Sequence, residues 1–141
     1  MKKTIIAILA LALLLAAAAQ ATGAPQFSSA LFDSGKAAMG FLASGEYERL
    51  VTLLPFSDIA PGASEWERFA RNYDLDGAPK HPKAVAYVKG GAWVIAVGMQ
   101  DGDDPEALML ISEDGSTLTG YRYAEWSQVE QECEASGEVI R

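Results

Sequence analysis

Two apolar runs separated by a pair of glycines constrain the fold of this chain more than any other feature. Residues 84–88 and 92–99 are rich in apolar, strand-favouring side chains, and Gly90-Gly91 lies between them. A two-residue glycine connection between such runs predicts a β-hairpin, because glycine adopts the left-handed backbone of a tight turn without strain. The predicted register pairs Val88 with Trp93, Ala86 with Ile95 and Ala84 with Val97.

The predicted hairpin is apolar on both of its faces. One face carries the bulky residues Trp93, Ile95 and Val97. The other face is built of small residues around a single tyrosine: Val85, Tyr87, Val94, Ala96 and Gly98. An antiparallel sheet with one face in water alternates apolar with polar residues. Some other part of the chain is therefore expected to cover or fill this second face.

The segments around the hairpin predict helices before it and further strands after it. Apolar residues at helical spacing predict helices from about residue 33 or 34 to 44, over 46–54 and from 64 towards 74. Gly45 and Pro55 are expected to end the first two. Strands are predicted at 107–111 and 117–123, with Asp114-Gly115 at the bend, and a last helix after Ser127. The fold class is α+β: three N-terminal helices packed on a four-stranded antiparallel meander, with a short C-terminal helix.

Two sequences with Ser and Glu three residues apart predict capping boxes at helix starts. Ser64 with Glu67 and Ser127 with Glu130 have this spacing. In a capping box, each side chain accepts a hydrogen bond from the backbone amide of the other residue. We therefore expect these pairs to fix the starts of the third and last helices.

Residues 1–21 have the pattern of a secretory signal peptide. Lys2 and Lys3 precede an Ile, Leu and Ala run at 4–19, and Ala19-Gln20-Ala21 has the small-x-small form cut by signal peptidases. The run is shorter than the roughly 20 residues of a membrane span. We therefore expect export to the periplasm or medium, without stable membrane insertion after cleavage. A mobile leader is predicted at 22–32, followed by a single α+β domain at 33–141.

The charge of the chain excludes one class of partner. Loss of Lys2 and Lys3 with the signal leaves nine basic residues against nineteen acidic ones. Nucleic acids and anionic lipids need clustered basic side chains, so neither is an expected partner. Cys133 is the single cysteine of the chain. It shares a helix face with Val129, which favours an inert buried thiol over a link between two chains.

Residue types that commonly carry catalysis or bind metals are sparse. The loop 101–106 holds four carboxylates but lacks the alternating acids and central glycine of a calcium loop, so a solvated turn is expected. His81 has neither a cysteine nor a carboxylate at ligand spacing. No Gly-x-Ser-x-Gly motif or glycine-rich phosphate loop is present in the sequence. We therefore predict no catalytic residue, no metal site and no cofactor.

Two short motifs resemble nuclear-transport-factor-like domains. The segment 41–48, Phe-Leu-Ala-Ser-Gly-Glu-Tyr-Glu, is similar to the Leu-x-x-Gly-Asp/Glu-Tyr/Phe turn that joins their first two helices. The segment 90–96, Gly-Gly-Ala-Trp-Val-Ile-Ala, resembles their Gly-x-Trp-x-Ile strand. The likeness covers about half of the chain after residue 21. It departs where the usual strand between the second and third helices is not apparent, and in the terminal helix.

The resemblance implies a cone in which a curved sheet and helices enclose a pocket. Some family members are enzymes that use an Asp-His or Tyr-Asp pair inside that pocket, and many are non-catalytic binding or dimerising modules. This chain has no histidine at an internal strand position, so the enzymatic branch is not implied and no site residues carry over.

The aromatic residues give the remaining binding hypothesis. We expect a ligand-binding wall on the second sheet face, with small residues leaving room beside tyrosines. Its members are Tyr87, Val94 and Ala96, extended by Tyr121 and Tyr123 if the second hairpin keeps the same side. The expected function is an exported, non-catalytic binding or protein-interaction module of unknown ligand. The alternatives are a small pocket enzyme using carboxylates and tyrosines, and a homodimer or inhibitor acting through its sheet face.

Overall fold

Helices precede the sheet along the chain, as the sequence predicts. A computed structural model describes residues 24–73, 75, 82–99 and 106–141. Its helices and strands are α1 (Ser29–Ser44), α2 (Tyr47–Leu53), α3 (Ala63–Asn72), β1 (Pro82–Lys89), β2 (Ala92–Met99), β3 (Glu106–Ser112), β4 (Gly120–Glu125), α4 (Trp126–Ala135) and β5 (Val139–Ile140). The α+β class is confirmed, and β5 is an addition to the predicted meander. The proposed signal peptide lies outside the described residues.

Helix α1 ends where predicted but begins earlier. Gly45 has φ 77°, and its amide and that of Glu46 donate to the carbonyls of Leu42 and Phe41. This is a Schellman motif, which satisfies carbonyls that the helix end would leave unpaired. The start lies at Ser29 because Leu31, 2 % exposed, extends the buried stripe about one turn before Gly35. Residues 29–32 are therefore helical, and the expected leader is too long.

The predicted capping boxes do not form. Helix α3 starts at Ala63 after Gly62, so Ser64 lies inside the first turn, and Glu67 pairs with Arg71 at 2.5 Å. Helix α4 starts at Trp126, directly after β4, so Ser127 is also internal. Neither helix has a side-chain hydrogen bond at its N-cap. The sequence spacing alone does not locate these helix starts, since both N-caps lie two residues before the predicted serines, at Gly62 and Glu125.

The sheet confirms the predicted first hairpin. Its strand order is β4-β3-β2-β1-β5, and all neighbouring pairs are antiparallel. Val88 pairs with Trp93, Ala86 with Ile95 and Ala84 with Val97, as predicted. Gly90 and Gly91 have φ of 60° and 78°, the backbone that a tight hairpin turn requires. Strand β5 pairs only Ile140 with Ala86 and Val139 with Tyr87.

The second hairpin differs from its prediction. The fourth strand spans Gly120–Glu125 rather than 117–123. The Asp114 carboxylate accepts hydrogen bonds from the Ser116 amide and from the Thr117 amide and hydroxyl at 2.6–2.9 Å. Those bonds hold the preceding residues in a turn, so β4 starts three residues later than expected.

Both faces of the sheet are covered, as the sequence predicts. The bulky face, including Trp93, Ile95 and Val97, forms the larger core with the three N-terminal helices. The opposite face packs against α4 through Trp126, Val129 and Cys133. The buried strand residues of this second core are Val85, Tyr87, Val94, Ala96, Ala107, Met109 and Ala124. The cover that the small-residue face requires is therefore helix α4.

Residues 24–28 lie against the sheet ahead of α1. The Trp93 indole N–H donates to the Pro25 carbonyl at 2.7 Å, and the Phe27 ring lies 4.5 Å from the Trp93 ring. The Ser28 amide donates to the Gly115 carbonyl at 2.9 Å. We call residues 24–28 the amino-terminal strap. Residues 22 and 23 of the expected leader lie outside the described residues.

Gly115 lies at a close approach between the strap and the β3–β4 loop. It has φ 80°, and a Cβ there would lie 2.2 Å from the Gln26 carbonyl oxygen. Glycine is therefore required both by the backbone angle and by the space available.

Among the described residues, none of the helices combines the length and the apolar composition that a membrane span requires.

Candidate functional site

The structure does not bring the five predicted binding residues onto one surface. Tyr87, Val94 and Ala96 lie under α4, at 0 %, 3 % and 0 % exposed. Tyr121 and Tyr123 pair with Leu110 and Leu108, whose side chains belong to the opposite core. The wall expected from the sequence is therefore divided between two faces, and its first three members are buried.

Tyr121 and Tyr123 belong to an aromatic cluster on the side of the N-terminal helices. The Tyr121 ring lies 4.6 Å from that of Trp66, and the Tyr123 ring is stacked on Tyr73 at 4.2 Å with 6° between the planes. Burial raises the pKa of Tyr121, and the nearby Glu65 carboxylate raises it further. Both tyrosines are half-buried. They close the edge of the larger core where β4 meets α3.

On the other face, Tyr87 ends in a polar cluster centred on Glu132 of α4. The Tyr87 hydroxyl donates to Glu132 Oε2. Glu132 Oε1 accepts from Lys89 Nζ at 2.5 Å, Gln128 Nε2 at 3.3 Å and Arg122 at 3.4 Å. The Glu132 side chain is 13 % exposed. We call these five residues the Glu132 cluster; its members come from β1, β4 and α4.

Electrostatics in the Glu132 cluster fix the phenol as neutral and the carboxylate as charged. Burial, followed by the hydrogen bond to Glu132, raises the pKa of Tyr87 far above its usual range. Burial alone would raise the pKa of Glu132, but the hydrogen bonds from Lys89, Tyr87 and Gln128 outweigh it and lower that pKa. A general acid or base works best with a pKa near the operating pH. Both shifts run away from neutral pH, so the pair is poorly suited to proton transfer.

A small recess opens beside the Glu132 cluster. Its volume is about 210 Å³, and its walls are Val88, Lys89, Gly90, Glu132 and Ala135. It lies where the β1–β2 turn meets the end of α4. It presents one carboxylate, one ammonium group and short apolar side chains to solvent.

A larger groove lies between α1 and α2. Its volume is about 450 Å³, and it is lined by Phe41, Glu48, Arg49, Thr52 and Leu53. The Arg49 guanidinium carbon is 5.6 Å from the centre of the Phe41 ring. Arg49 Nε also pairs with the exposed Glu46 carboxylate at 3.4 Å. The groove is open, apolar on its walls, and bordered by one positive and one negative side chain.

The remaining sequence candidates add no site in the described part of the chain. His81 and the acidic residues 101–105 lie outside it. Within residues 24–73, 75, 82–99 and 106–141, no group of three or more His, Cys, Asp or Glu residues could hold a metal ion. Cys133 is 4 % exposed, and burial raises the pKa of its thiol. This environment is that of an inert thiol.

Glu132 is not among the predicted site residues, because carboxylates on a helix surface are ordinarily solvated. The available signal was its position three residues after Val129 and next to Cys133, at the border of the apolar stripe. Its partner Tyr87 lies 45 residues away, and that contact depends on how α4 is placed.

No family model, curated protein or solved structure matches this chain.

Proposed function

We propose that this protein is an exported, non-catalytic binding or interaction module and that it binds through the groove between α1 and α2. The observation that supports the proposal is the groove itself, with about 450 Å³ of open space between apolar walls. Small-molecule sites have volumes of about 300–1,000 Å³ and combine apolar walls with a few polar groups. The resemblance to nuclear-transport-factor-like domains, many of them non-catalytic, stays a prediction that agrees with this function.

The walls and border of the groove define the chemistry of its occupant. Phe41 and Leu53 offer an aromatic ring and a branched aliphatic chain, both half-buried. Glu48 and Arg49 carry opposite charges and are both exposed. An apolar group, with polar atoms placed towards the two charges, would bury its apolar area without desolvating either charge.

The enzyme alternative is favoured by one observation, the hydrogen bond from Tyr87 to Glu132. A tyrosine paired with a carboxylate is an arrangement that pocket enzymes use. Here the pKa shifts oppose proton transfer, and Glu132 accepts from Lys89 and Gln128 as well. We therefore interpret the pair as a contact that holds α4 on the sheet.

The homodimer or inhibitor alternative needs a bare apolar sheet face. In the described part of the chain, helices cover both faces of the sheet. Among the residues that the structure describes, the exposed large apolar ones are Val51, Ile59 and Val139, which belong to three separate segments. We therefore favour binding in the α1–α2 groove over this alternative.

The test compares two variants of α2 that differ by one position. Thr52 lines the groove and is exposed, whereas the adjacent Val51 is also exposed but does not line it. Wild-type protein is purified from the cell envelope of its own organism together with any bound ligand or partner. We expect Thr52→Arg to lose that ligand or partner and Val51→Arg to retain it. Native mass spectrometry of both variants and of the wild type measures the bound mass. Equal retention by the two variants would exclude the groove.

A further inference from the structure

We propose that the recess beside Glu132 is a binding site for a small primary amine in its ammonium form, and that the Lys89 side chain occupies this site as a tethered competitor. The proposal is independent of the α1–α2 groove. It rests on the placement of the Glu132 carboxylate, the half-exposed Lys89 ammonium and an adjoining space.

Glu132 supplies a fixed anion at the wall of the recess. Its side chain is 13 % exposed, and Tyr87 holds Oε2 from inside the protein. Oε1 therefore faces the remaining donors. A carboxylate oriented by a buried hydroxyl is a preorganised acceptor for an ammonium group, because charge-assisted hydrogen bonds are the stronger class.

The Lys89 ammonium donates to Glu132 Oε1, but a competing ammonium group can displace it. The ammonium of Lys89 is 2.5 Å from Oε1, yet the side chain is 51 % exposed. Because the Lys89 half of the pair is open to solvent, water competes for its ammonium, and the long side chain loses freedom when it is held in the pair. Arg122 and Gln128 lie at the longer distances of 3.4 Å and 3.3 Å, so they keep Glu132 partly paired when Lys89 swings out.

The space beside the ion pair sets the size of the ligand. The recess of about 210 Å³ exists with Lys89 in place, and Val88 and Ala135 give it short apolar walls. A water molecule takes about 30 Å³ of liquid volume, so the recess accommodates an amine with a few carbon atoms. The negative charge of the whole chain, −8, also favours the approach of a cation.

The test replaces Lys89 by alanine and supplies the deleted atoms as a free amine. Lys89→Ala deletes three methylene groups and the ammonium, which n-propylammonium replaces. We expect n-propylammonium to bind Lys89→Ala at least about twofold more tightly than the wild type, because the tethered competitor for Glu132 is gone. Amide chemical shifts in ¹⁵N spectra, at constant ionic strength, measure the affinity. 1-Propanol, the neutral analogue, is expected to cause no saturable shift.

Two double variants decide whether the carboxylate and the recess are the site. We expect Lys89→Ala/Glu132→Gln to bind n-propylammonium about fivefold or more weakly than Lys89→Ala, because the charged acceptor is lost. The matched control Lys89→Ala/Glu134→Gln removes an exposed carboxylate of the same helix and is expected to bind as Lys89→Ala does.

A second design keeps the proposal testable if the Glu132 variant does not fold. Ala135 is exposed, so Lys89→Ala/Ala135→Leu fills the recess while retaining Glu132, and we expect it to lose binding. Equal affinity in Lys89→Ala and in the folded Glu132 or Ala135 double variant would overturn the proposal. Shifts confined to residues away from 88–90 and 132–135 would overturn it as well.

Discussion

The stability lost on truncation of Tyr87 shows whether this residue belongs to the core or faces a ligand. The ring is 0 % exposed, beneath α4 and against Val129 and Cys133 in one core cluster. Replacement of a buried aromatic residue by alanine costs about 3–5 kcal/mol, from lost apolar burial and from the cavity left behind. We expect Tyr87→Ala to lower the free energy of unfolding by this amount.

The conservative variant isolates the hydroxyl. Tyr87→Phe keeps the ring and removes only the hydrogen bond to Glu132. A hydrogen bond to a charged group contributes about 1.5–3 kcal/mol, and we expect the lower end because Glu132 keeps Lys89 and Gln128 as donors. Urea unfolding followed by far-ultraviolet circular dichroism measures both variants. The control Tyr121→Phe, on the opposite face, is expected to stay within about 0.5 kcal/mol of the wild type.

Two outcomes would refute this reasoning about Tyr87. A loss below about 1 kcal/mol for Tyr87→Ala would mean that α4 does not cover the ring in solution. The second sheet face would then be open to a ligand, as the sequence first indicated. Equal losses for Tyr87→Ala and Tyr87→Phe would mean that the hydroxyl, and not the packed ring, holds α4 in place.

Three further predictions concern the loop near the strap and the buried thiol. Gly115→Ala should lower the melting temperature, because φ 80° and a Cβ 2.2 Å from the Gln26 oxygen both oppose a side chain, whereas Gly137→Ala, with open space around it, should change it little; thermal unfolding measures both. Hydrogen bonds from Thr117 lower the pKa of Asp114 below its ordinary 3.8. The contribution of Asp114 to folding stability should therefore be complete above pH 3.8 and be lost as the pH falls further. Unfolding curves of Asp114→Asn between pH 2 and 5 should lack that part of the pH dependence. Cys133, buried and with a raised thiol pKa, should react with Ellman's reagent slowly in the native protein and rapidly in urea; fast native reaction would show that the α4 side opens readily.

The first hairpin could be predicted because its signals are local. Gly90-Gly91 specifies the turn, the turn specifies the register, and the register assigns every side chain to a face. The need for a cover over Val94 and Ala96 followed from the same alternation, and α4 meets it. These inferences depended on residues within one short segment.

The divided binding wall shows where local signals stop. Tyr121 and Tyr123 pair with Leu110 and Leu108, so they face the N-terminal helices, and this pairing depends on how β3 and β4 meet rather than on the residues of β4 alone. The Glu132 cluster was likewise beyond local reasoning, because Arg122, Lys89 and Glu132 meet only after α4 has packed on the sheet. The predicted helix starts were wrong for a related reason, since burial of residues such as Leu31 outweighed capping preferences.

The amino-terminal strap determines which end of the domain would face a solid support if the protein were immobilised through its amino terminus. Its contact with Gly115 brings the chain into the domain at the end of the sheet that also carries the Gly90-Gly91 turn. The strap lies on the face of the N-terminal helices, whereas the recess lies on the α4 face, so an amino-terminal attachment would hold the domain at the turn end of the sheet. Arg141 instead pairs with Glu130, one and a half turns back along α4 from Ala135. Coupling through the carboxyl terminus would leave the turn, the recess and the strap facing the solution.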